Sequence, residues 1–154
     1  MKTVNVRRLT LDALLISLAL VLSWLEHFIP LELVVPIPGI KLGLANIVTL
    51  FSVLRLKPAD TLLIVVSRSL IMGAVSGPMT LLFSLSGGLL AFGLMWFLSR
   101  WHERAFSSIG ISVAGAAAHN IGQVTAAVWV LHEPRLLFAY LPPLLITGLV
   151  TGTL

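Results

Sequence analysis

Four polar residues stand where almost everything around them is apolar: Arg68, His119, Asn120 and Gln123. His119 and Gln123 are four apart, and Asn120 and Gln123 three apart, so on a helix each pair shares a face. Lys41 and Asn46 stand at the start of another apolar stretch. These six residues supply a guanidinium, an ammonium, an imidazole and three amides. That set is rich in hydrogen-bond donors and suits an anion or a carbonyl. An arginine at the centre of a spanning helix costs at least about 2.5 kcal/mol on insertion scales, so something must compensate it. Two arrangements would do so. Arg68 either bonds helix carbonyls or Glu26 and stabilises a bundle, or it faces a cavity that receives an anion.

Catalytic constellations are missing. Asp12 and Asp60 are the only aspartates, and no DDxxD cluster is present to hold Mg²⁺ against a diphosphate. There is no GxxxxGK[ST] loop for a nucleotide. His27, His102, His119 and His132 show no HExxH spacing. Glu26 adjoins His27 and Glu133 adjoins His132, but adjacent residues point to different faces of a helix. With no cysteine, thiolate metal sites, disulfides and Cys nucleophiles are excluded. The expectation is a protein that is not an enzyme, with no metal and no cofactor.

The elements that must position the polar residues follow from composition. The 154 residues are 58% hydrophobic and 10% charged, with a mean hydropathy of +1.04. A soluble domain carries about a quarter charged residues, so this chain cannot cover a water-facing surface. A cytosolic globular domain, a disordered chain and a nucleic-acid module are excluded, and the expected surroundings are a lipid bilayer. Charges and prolines cut the sequence into apolar blocks at 9–29, 40–56, 58–77, 79–99, 107–131 and 137–154. Each is read as a spanning helix, which needs roughly 20 apolar residues. The expected architecture is an all-α, multi-pass bundle of six helices in one integral membrane domain. The second block is short and glycine-bearing, as a re-entrant or tilted segment would be. The sixth contains Pro142-Pro143. The closing Thr151-Gly152-Thr153-Leu154 carries no charged anchor, as a truncated chain would not.

With the N-terminus inside, Lys2, Arg7, Arg8, Arg55, Lys57, Arg100 and Arg104 fall on the cytoplasmic side and only Lys41 and Arg135 outside. Seven against two is a positive-inside bias and puts both termini in the cytoplasm. The first block is too long for a signal-peptide core and lacks a small-x-small site before 24–27, so its arginines are read as an orientation signal. Residues 30–39 form the longest outer connection, stiffened by three prolines and apolar apart from Glu32. Trp24, Trp96, Trp101 and Trp129 fall near block ends, as an aromatic belt does.

Small residues recur every fourth position. Gly110, Ala114, Ala118, Gly122 and Ala126 make one stripe, and Gly39/Gly43, Gly73/Gly77 and Gly148/Gly152 are further pairs. They are expected to let helices approach closely. Ala13/Ser17 is a similar pair in the cytoplasmic half of the first helix.

Residues 39–50 (GIKLGLANIVTL), 84–89 (SLSGGL) and 112–123 (SVAGAAAHNIGQ) resemble the Gx transporter family, also labelled heptaprenyl diphosphate synthase component I. That family in turn resembles the substrate-binding S components of energy-coupling-factor (ECF) transporters. The resemblance implies a six-helix protein of a bacterial cell membrane with both termini inside. It also implies uptake of a small, vitamin-like solute bound from outside beneath the loop between helices one and two. Such a component docks a transmembrane T subunit, itself served by ATPase subunits, through a small-xxx-small motif on helix one. Ala13 and Ser17 match that position. The other label implies an accessory subunit of a prenyl diphosphate synthase. The candidate substrate-binding residues, chosen by depth and chemistry, are Arg68, His119, Asn120, Gln123, Lys41 and Asn46.

Overall fold

The computed structural model describes residues 6–29 and 41–153. Within them lie six α-helices: α1 (Val6–Leu25), α2 (Asn46–Arg55), α3 (Pro58–Ser76), α4 (Pro78–Ser99), α5 (Ser108–Leu131) and α6 (Arg135–Thr153). A single 3-10 turn, Glu26–Phe28, follows α1. The expected loop at 30–39, with Glu32 and Gly39, lies outside the described residues, as does Lys2.

Local chemistry sets the helix ends. Pro58 and Pro78 stand in the first turns of α3 and α4, where a missing N–H costs nothing. Gly77 joins those two helices with φ +97°, a conformation an L side chain resists. Ser107 caps α5 by accepting the Gly110 N–H at 3.1 Å. Pro142 and Pro143 lie inside α6 without ending it.

Helices α1, α3, α4 and α6 are each long and apolar enough to cross a membrane, so the chain is a multi-pass membrane protein. Large apolar side chains such as Val6, Leu14, Val75, Trp129 and Phe138 are exposed around the bundle, as lipid contact requires. Helix α5 is longer still, but His119, Asn120 and Gln123 dilute its apolar character. It packs between α4 and α6, with α2 against it as well. One buried cluster joins Phe83, Val124, Ala127 and Leu144 across α4, α5 and α6. Another joins Leu15, Ala19, Ala45, Val48 and Ile64.

Several of the small residues make close crossings. A Cβ on Gly122 would stand 2.8 Å from Gly87 Cα on α4, and one on Gly152 2.7 Å from Val113 Cα on α5. Gly73 packs on Leu81 in the same way, whereas Gly77 meets nothing and serves the turn instead. The Gly73/Gly77 spacing is therefore not a packing pair.

The second block differs from the expected helix over 40–56. Only Asn46–Arg55 is helical. Ten residues rise about 15 Å, half of a hydrocarbon core about 30 Å thick. Residues 41–45 are coil and turn, broken at Gly43 with φ +83°, and four of the five are buried. At the other end of the bundle, Arg8 ties α1 to the first turn of α3. Its Nε donates to Asp60 Oδ2 at 2.8 Å and its Nη2 to Asp60 Oδ1.

Candidate functional site

Non-helical backbone at membrane depth survives only if other groups take up its hydrogen bonds or it lines a cavity. Residues 41–45 do both. Gln123 on α5 accepts the Lys41 N–H through Oε1 at 2.9 Å and donates Nε2 to the Lys41 carbonyl at 2.8 Å. Glu26, in the turn after α1, accepts the Leu44 N–H through Oε1. The amide of Gln123 and the carboxyl of Glu26 thus do the work that a helical turn would have done.

Behind this coil is a cavity of about 10 Å³, room for roughly one water. Ser23 and Glu26 come from the α1 end, Lys41, Gly43 and Ala45 from the coil, Arg68 from α3, Ser84 from α4, and His119 and Gln123 from α5. Spacing explains the convergence. The buried residues of α1 are Asp12, Leu15, Ala19 and Ser23, and Glu26 continues that stripe three residues on. On α3, Ile64, Val65, Arg68, Ser69 and Met72 make the matching buried face. On α4, Gly87 and Gly88 clear space: a Cβ at Gly87 would stand 2.9 Å from His119 Nδ1, and one at Gly88 3.1 Å from Arg68 Nη2.

The cations here are not neutralised in the ordinary way. Arg68 is 2% exposed, yet among the described residues its Nε and Nη2 have no hydrogen-bond partner. Lys41 Nζ is likewise buried and unbonded. Glu26 shares the cavity with both, but no ion pair within 4.0 Å joins it to either among the described residues. Glu26 lies past the end of the α1 span. Burial raises its carboxyl to about 7, against the opposing pull of the Leu44 N–H, Arg68 and Lys41.

Arg68, His119, Gln123 and Lys41 therefore meet around one cavity. Asn120 does not join them. It faces α6, where Nδ2 donates to the Leu144 carbonyl. The bare Gly148 permits this, since a Cβ there would stand 2.7 Å from Asn120 Nδ2. Asn46 is buried beside Gly43, with neither amide atom bonded among the described residues, just outside the cavity wall. Ala13 and Ser17 are exposed on α1, and Ser17 Oγ donates to the Ala13 carbonyl at 2.9 Å.

Three polar lining residues, Glu26, Ser23 and Ser84, were missing from the candidate substrate-binding set. Glu26 and Ser23 were detectable as polar members of the three-and-four-spaced stripe on α1. Ser84, which pairs its hydroxyl with Ser69 at 3.0 Å, had only its place in the 84–89 motif. The cavity also holds an acidic group, although the sequence near Arg68 offers none. Electrostatically it is a mixed site with an excess of unbonded donors.

A family model described as Heptaprenyl diphosphate synthase component I matches residues 15–154, and the chain belongs to that family. Comparison with curated proteins and with solved structures finds no match.

Proposed function

We propose, with membership of this family, which is the Gx transporter family, as the premise, that the chain is a substrate-binding membrane component of an uptake transporter. In this reading it resembles the S component of an ECF system, takes up a small anionic solute from outside, and performs no catalysis itself. The observation that carries the reading is the buried cavity in which Arg68 and Lys41 keep unbonded donors. A buried charged donor left unsatisfied costs more than its hydrogen bond would contribute, so a bound anion is the natural partner. The irregular backbone at 41–45 supports it too, because transporters use unwound backbone at membrane depth to build binding sites. The exposed small pair Ala13/Ser17 supports docking of a T subunit, with ATPase subunits behind it.

The test is the solute that travels with the purified protein. Mass spectrometry of wild-type protein extracted in detergent should find an anionic solute, and Arg68→Gln should lose it while remaining folded. If the variant folds and retains the same solute, Arg68 is structural and the reading fails.

The family's description favours a second reading, a membrane accessory subunit of a heptaprenyl diphosphate synthase. Prenyl synthase activity that appears only when this chain is combined with a soluble synthase subunit would support it instead.

A further inference from the structure

Resting on the anion-binding reading, the geometry points to a carboxylate as the solute group that Arg68 holds, gripped side-on by Nε and Nη2.

The protein contains its own template. Arg8 uses Nε and Nη2, the two nitrogens on one edge of the guanidinium, to hold both oxygens of the Asp60 carboxylate. The same two nitrogens of Arg68 are buried and unbonded among the described residues. This planar edge matches two oxygens on one carbon, and it is the reason arginine rather than lysine serves where a flat oxyanion must be gripped. A lysine at the same place would supply charge without the fork.

Two features of the cavity favour a carboxylate over a bulkier or more highly charged anion. The free space is about 10 Å³, and a flat three-atom group needs the least enlargement. Glu26 stands on the wall, so each further negative charge on the solute meets a group of its own sign. The wall able to give way is Lys41. Its backbone is fixed by Gln123 while its ammonium is unbonded, so the side chain can swing aside and then close on the bound group as a third donor. Gly87 and Gly88 cannot give way, because they already lie against His119 and Arg68.

The test uses small probes on the purified full chain in detergent, read by thermal unfolding. Sodium acetate is compared with sodium chloride and sodium phosphate at matched ionic strength, and with acetamide as the uncharged analogue. Acetate should raise the unfolding temperature saturably, and the other three should not. Arg68→Lys, which keeps the charge and loses the fork, should weaken the acetate effect about tenfold or more. Equal protection by chloride, phosphate or acetamide overturns the assignment, and this ranking needs no variant to fold. Full acetate protection in folded Arg68→Lys overturns it as well. A co-purified solute that lacks a carboxylate but is lost in Arg68→Gln sinks the carboxylate while leaving the anion-binding reading intact. No protection by any probe, together with no co-purified solute, sinks both.

Discussion

Gln123 holds Lys41 by both ends of its amide, with Oε1 2.9 Å from the Lys41 nitrogen and Nε2 2.8 Å from its carbonyl oxygen. The two residues are 82 apart in the chain, so this is a tertiary substitute for helical bonds. Removing the amide strands a backbone donor and a backbone acceptor in a buried place.

Gln123→Ala should therefore destabilise the protein by about 2–4 kcal/mol, and Asn120→Ala, which gives up one bond to α6, by roughly half as much. Thermal unfolding in detergent measures both. Gln123→Ala should also open residues 41–45 to limited proteolysis. A variant as stable and as protected as wild type would remove the clamp from the account.

Two glycines should respond oppositely to alanine. At Gly122 the new methyl meets the α4 backbone 2.8 Å away, which cannot rotate aside, so a loss of about 1–3 kcal/mol is expected. At Gly93 nothing lies within 4 Å, and alanine should be neutral or stabilising by up to about 1 kcal/mol from helix propensity. Equal effects at both sites would argue against the α4–α5 crossing.

Orientation can be read by labelling, because the chain has no cysteine. A membrane-impermeant thiol reagent applied to intact cells should reach Glu133→Cys and miss Lys57→Cys and Glu103→Cys. All three positions are exposed in the structure, so burial does not confuse the result. The reversed pattern would turn the cavity toward the cytoplasm.

Docking through α1 predicts a separation of effects. Ala13 and Ser17 are exposed, so Ala13→Leu and Ser17→Leu should leave folding and anion binding unchanged while blocking close approach of a T subunit. Co-purification with that subunit is the readout, and undiminished capture of the partner by both variants would take these residues off the docking surface.

Glu26 makes anion binding depend on pH. Its carboxyl is raised to about 7 by burial, so below that value it is neutral and above it adds a negative charge beside Arg68, Lys41 and His119. Anion affinity should accordingly rise as pH falls from about 8 to about 6, since the neutral carboxyl no longer repels the ligand. Glu26→Gln should flatten the profile at the tight-binding level. An unchanged slope in that variant would assign the titration elsewhere.

The six helices were legible because charges and prolines interrupt apolar runs sharply, as at Arg55, Lys57 and Pro58. The shortness of α2 was only half legible. Gly43 hinted at a break, but the hydrogen bonds that make a coil tolerable there come from Gln123 and Glu26, both distant in sequence. Arg68 and His119 were conspicuous because a polar group inside an apolar run is anomalous. Glu26 was legible only as a possible structural partner of Arg68, because it stands at a block end where polar residues are ordinary. Asn120 and Gln123 looked alike on one stripe of α5. Packing separates them, turning Asn120 to the Leu144 carbonyl and Gln123 to the Lys41 backbone.

Because α2 begins at Asn46 inside the bundle and not at its surface, the aligned peptide dipoles of that helix end beside the cavity. Their positive pole is equivalent to about half an elementary charge, and the surrounding apolar medium screens it poorly. The protein thus carries a source of positive potential that no side-chain substitution removes. With Glu26 in its neutral form, a chain lacking both the Arg68 and the Lys41 charges should still prefer an anion to a cation of the same size at this place.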